Sequence, residues 1–122
     1  MRYLLLLALC SVLGAQTAAS DAKSGGGPPS GNAQRGQKIF ADYGCYQCHG
    51  REGQGGLGTG APRLGPRPIA FVTFSRYIRQ PAGQMPPYTS KVVSDQDLAD
   101  IYAFLQSRPQ PPPAKSIPLL NN

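Results

Sequence analysis

A chain of 122 residues with a formal net charge of +6 and 40% hydrophobic residues has room for one domain and only a modest core. Fifteen glycines and thirteen prolines break it into short elements, and once Cys10 near the N-terminus is set aside only Cys45, Cys48 and His49 remain, too few donors for a four-ligand zinc site. The basic balance alone would suit nucleic acid, but aromatic and basic residues do not interleave, which argues against that partner.

In chain order, Met1 and Arg2 form a minimal basic start, Leu4 to Leu13 is apolar, and the small-residue stretch Gly14 to Ser20 follows. Residues 1–20 therefore read as a secretory signal peptide, which predicts a periplasmic protein with no stable membrane insertion once the signal is cleaved. A retained anchor is the competing reading, although the apolar run is short for a membrane span. Leu7 to Cys10 faintly resembles a lipoprotein cleavage box, and bulky Leu9 argues against it. Cleavage after Ala19 or Ser20 removes Cys10 and leaves two cysteines. Residues 21–31, with Gly25-Gly26-Gly27-Pro28-Pro29, read as a flexible leader, and residues 32–108 as the compact domain.

Asn32 is a good helix cap, and Ala33, Gly36, Phe40 and Tyr43 fall on one helical stripe that Gly44 ends. Then comes Cys45-Tyr46-Gln47-Cys48-His49, which sets two thiols and an imidazole within one helical turn. C-x-x-C-H reads as a covalent haem attachment site: two thioether bonds fix the porphyrin edge, and His49 lies beneath the plane where a ring nitrogen ligates iron. Three other readings compete. A structural zinc site lacks a fourth ligand, a thioredoxin-like pair lacks its βαβ setting, and a plain disulfide leaves His49 without a role.

The stretch from Gly50 to Gly60 is glycine-rich but has neither the flanking strand and helix nor the lysine of a phosphate loop. Glycines there let backbone wrap closely round a flat cofactor until Pro62 ends the wrap. Arg63 and Arg67 are candidate partners for haem propionates, with ordinary solvated arginines as the alternative. Phe71, Phe74, Ser75 and Ile78 share a helical face that ends at Pro81. Ser94 and Asp97 suggest a capping box, after which Leu98, Ile101, Tyr102 and Leu105 mark the clearest amphipathic helix. Residues 109–122 begin with Pro109-Gln110-Pro111-Pro112-Pro113 and read as an extended, polyproline-like tail. No alternating run suggests a strand.

Together, the helix with Gly36 and Phe40, the Cys45 to Gly50 run, Ala61-Pro62-Arg63-Leu64, Gln84-Met85-Pro86-Pro87-Tyr88 and the helix with Ile101, Tyr102 and Leu105 resemble a small bacterial class I cytochrome c. The resemblance implies an all-α fold of three to four short helices around one covalently attached haem c. It makes Met85 the second axial ligand beside His49 and has the Pro62 carbonyl accept the free N–H of His49. It also assigns to Gly36 the space into which an aromatic of the last helix, Tyr102, packs. The implied role is that of an exported one-electron carrier between a periplasmic dehydrogenase or respiratory donor and an acceptor such as a terminal oxidase, with no catalysis of its own. A dedicated subunit of a dehydrogenase complex, with the tail as a docking strap, and a haem enzyme or gas sensor with an open iron position are the alternatives. From Arg51 to Lys91 six cations (Arg51, Arg63, Arg67, Arg76, Arg79, Lys91) face one anion, Glu52, which predicts a redox partner with an acidic docking surface.

Overall fold

A computed structural model describes residues 27–120, so the expected signal peptide and most of the leader lie outside the described residues. Four α-helices follow one another: α1 (Ala33–Asp42), α2 (Cys45–His49), α3 (Phe71–Arg79) and α4 (Asp95–Gln106). There is no strand among the described residues, and no helix there is long and apolar enough to cross a membrane.

Local chemistry sets the helix ends. The Asn32 side chain accepts the Arg35 N–H at 2.9 Å to start α1, and Tyr43 with left-handed Gly44 ends it. At α4, the Ser94 hydroxyl accepts the Asp97 N–H at 3.1 Å while the Asp97 carboxylate accepts the Ser94 N–H at 2.9 Å, a complete capping box. That box secures the longest helix of the domain.

The sequence pattern marks α4 as amphipathic, but the structure buries eight of its twelve residues, Asp97 to Tyr102 together with Phe104 and Leu105. An element buried nearly all round is the centre of the domain, not one of its faces. α1 packs along one side of it and α3 touches another. Phe40 meets Phe104 with ring centroids 5.5 Å apart, while Tyr102 meets Phe71 and Phe74, each at 5.2 Å. Each fully buried Phe or Leu here stabilises the fold by roughly 1.5–3 kcal/mol relative to exposure.

The Gly36 expectation needs correcting. A Cβ on Gly36 would stand 1.9 Å from the Asp100 carbonyl oxygen and 2.8 Å from the Ile101 nitrogen, so the glycine admits the backbone of α4 itself. Tyr102 instead turns its ring to α3. The α1–α4 contact is locked by charge as well. Arg35 pairs with Asp97 at 2.5 Å and also with Asp100, which further accepts the Asn32 N–H at 2.8 Å and the Gln96 amide at 3.0 Å. Burial by itself would raise the Asp100 carboxyl, but the Asn32 N–H, Gln96 and Arg35 outweigh it and hold the group below its ordinary range. Asp97 is likewise lowered against its burial by the Ser94 cap and Arg35.

The tail also departs from expectation. Pro113 keeps a polyproline-like backbone (φ −61°, ψ 141°), but 3₁₀ turns follow at Ala114–Ser116 and Pro118–Leu120 in place of extended chain. Neither turn packs against any of the four helices.

Candidate functional site

α2 is a single helical turn launched by Gly44 in the left-handed region (φ 74°) directly after α1. Cys45 and Cys48, three residues apart, share one face of it. Cys45 is half-buried against the core and Cys48 is exposed, and both are free thiols. Burial pushes the Cys45 thiol up to about 11. Among the described residues no three His, Cys, Asp or Glu side chains are grouped as a metal-ion cluster requires.

His49 closes α2 with only 9% of its surface exposed, and its Nδ1 lies 3.0 Å from the Pro62 carbonyl oxygen. A carbonyl only accepts, so Nδ1 carries a proton, and in the neutral ring the lone pair lies on Nε2. Nε2 has no hydrogen-bond partner, yet no buried side-chain nitrogen is left unpartnered among the described residues. The lone pair therefore opens onto accessible space, and not into sealed core.

The loop from Gly50 to Gly65 places the Pro62 carbonyl. Gly55 N–H donates to the His49 carbonyl at 2.8 Å, and Leu64 and Gly65 N–H both donate to the Gly53 carbonyl, at 2.7 and 3.1 Å. The Thr59 hydroxyl donates to the Cys48 carbonyl at 2.9 Å. Gly56 is required by contact: a Cβ there would stand 2.1 Å from that same Cys48 oxygen. The glycines thus wrap the loop tightly against the chain's own backbone at α2. Arg108, stacked 4.3 Å over Phe104, pairs with Glu52 and ties the loop to the end of α4.

Met85 is half-buried in the connection between α3 and α4. Three residues on, the Tyr88 hydroxyl donates to the Tyr43 carbonyl at 2.9 Å, two residues ahead of Cys45. The Tyr88 phenol is held above its ordinary value by burial and then by the nearby Cys45 and Cys48. The methionine loop is therefore fastened beside the two cysteines. Arg63 and Arg67 are exposed and form no ion pair among the described residues. Of the six cations from Arg51 to Lys91, Arg79 is committed to Asp95 at 2.7 Å and Arg51 stacks 5.0 Å over Tyr46, while Glu52 is matched by Arg108.

Thr59, which braces the loop through the Cys48 carbonyl, carries no signal in the sequence. Two free thiols one turn apart, beside an imidazole of fixed tautomer with an open lone pair, are the donor set that covalent haem attachment needs. Residues 31–105 match the family described as Cytochrome C oxidase, cbb3-type, subunit III. No curated protein and no solved structure matches the chain. On that match over more than half its length, together with the C-x-x-C-H geometry, the chain belongs to this family of class I c-type cytochrome domains and carries one haem c bound covalently through Cys45 and Cys48.

Proposed function

We propose that the protein is an exported one-electron carrier in which His49 and Met85 would hold the haem iron. Bound at this site, haem c supplies an iron that exchanges one electron between ferrous and ferric states. The observation that carries the reading is the His49–Pro62 contact at 3.0 Å, which fixes the ring, leaves Nε2 as the only free donor and raises its basicity. Met85 offers a soft thioether, which favours ferrous iron and raises the potential. With both His49 and Met85 as ligands, the iron would have no open position for an external molecule, which would favour electron transfer over chemistry on a bound substrate. Arg63, Arg67, Arg76 and Lys91, exposed and without ion pairs among the described residues, steer the protein to an acidic surface on a periplasmic donor or acceptor.

Replacing Met85 tests the assignment. Met85→Ala should abolish the methionine–iron charge-transfer band and lower the midpoint potential. An unchanged band and potential would show that another group holds the sixth position. A second reading, a fixed subunit of a respiratory complex, is favoured by the oxidase-subunit description of the family and by the tail, whose turns expose Leu119 and Leu120 without touching a helix. Size-exclusion of the native protein separates the two: a free carrier elutes as a small monomer, a subunit with its complex.

A further inference from the structure

Arg79, the last residue of α3, does not spend its charge on solvent: its side chain is only 21% exposed. Nη1 donates to the carbonyl oxygens of Tyr88 at 2.9 Å and Val93 at 2.6 Å, and Nη2 donates to Asp95 at 2.7 Å. All three acceptors lie on the far half of the α3–α4 connection or at the start of α4. Tyr88 is held from two more sides, by its N–H to the Ile78 carbonyl at 3.1 Å and its hydroxyl to the Tyr43 carbonyl at 2.9 Å.

The near half of the connection is held quite differently. Residues 81–87 make a single hydrogen bond among the described residues, from the Tyr77 hydroxyl to the Ala82 carbonyl at 3.4 Å. Pro81, Pro86 and Pro87 have no N–H to donate. Met85 sits in this stretch, three residues from the knot at Tyr88. The geometry points to Arg79 as the positioning residue for the Met85 sulfur: it fixes the point from which the methionine loop is hung. This inference rests on the assignment of Met85 as the sixth ligand. Only a planar fork of donors reaches two carbonyls and a carboxylate together, so lysine is a partial substitute.

The test uses intact holoprotein carrying Arg79→Met, Arg79→Lys or Met85→Ala. The readouts are the methionine–iron charge-transfer band and the rate at which ferrous protein binds carbon monoxide, neither of which a purely structural role would move at constant helical content. Loss of the clamp should expose iron more often, so Arg79→Met should bind carbon monoxide about tenfold faster or more, with a weakened band. Arg79→Lys should fall between it and the unsubstituted protein. If Arg79→Met fails to fold, Arg79→Lys carries the test and should shift both readouts in the same direction. A normal band and rate in the folded Arg79→Met protein, or in Arg79→Lys where Arg79→Met does not fold, with both altered in Met85→Ala, overturns the role of Arg79 alone. Unchanged readouts in Met85→Ala overturn the ligand assignment and this inference with it.

Discussion

Replacing Gly36 by alanine probes the contact around which the domain is built. A Cβ at Gly36 would stand 1.9 Å from the Asp100 carbonyl oxygen, whereas ordinary contact begins near 3.4 Å. Either α1 or α4 must therefore retreat by about 1.5 Å, because a backbone carbonyl inside a helix cannot swing aside as a side chain does. Retreat strains the Arg35 pairs to Asp97 and Asp100 and loosens Phe40 against Phe104. Overpacking of this kind costs about 3 kcal/mol at the upper end of its usual range. Alanine returns about 1 kcal/mol through its better helix propensity. The net loss is about 2 kcal/mol, or a fall of roughly 10 °C in Tm for a domain of this size. Thermal unfolding of the ferric holoprotein, followed by far-UV circular dichroism, reads it directly, with Gln37→Ala on the exposed side of α1 as the control. A Gly36→Ala protein as stable as its parent would refute the close approach of α4.

Thr59→Val removes the hydroxyl that donates to the Cys48 carbonyl and should cost about 1 kcal/mol by denaturant titration, whereas no loss would mean that Gly55 and Gly53 hold the loop alone. Asp97 and Asp100 have lowered folded-state values, so their stabilisation is present above the ordinary carboxylate value of 3.8 and is lost as pH falls through the lower folded values. Asp100→Asn should accordingly flatten the acid limb of Tm against pH, and an acid limb of unchanged slope would contradict the assignment. The bimolecular electron-transfer rate with the native donor should fall with salt, since exposed charges are screened beyond roughly 10 Å at about 0.1 M ionic strength. A flat or rising rate would favour the fixed-subunit reading.

What sequence made legible here is what short range determines. Asn32, Gly44 and the Ser94–Asp97 capping box act on neighbours three or four residues away, so their residue types alone announce the helix ends. The haem site was equally local, since five consecutive residues carry two thiols and an imidazole. Contacts across the fold left weaker traces. Gly36 shows in sequence that something comes close, but whether an aromatic ring or a helix backbone fills the space depends on how α4 lies, and the backbone fills it. The alternation of α4 marks one face, and burial of Ala99, Asp100 and Phe104 as well follows only from packing on more than one side. Arg79 looks like one more surface cation until the chain returns Tyr88, Val93 and Asp95 to its guanidinium. The polyproline signal held through Pro113, after which Ala114 has a free N–H and the chain closes into 3₁₀ turns.

The central claim, a carrier whose iron is closed on both sides by His49 and Met85, is tested most directly by exposing the reduced holoprotein to carbon monoxide at neutral pH. A closed, six-coordinate site predicts that the ferrous spectrum stays unchanged over the time of the titration. Prompt, stoichiometric formation of a carbon monoxide adduct would contradict it, because an iron that accepts an external ligand so readily has an open position suited to catalysis or gas sensing.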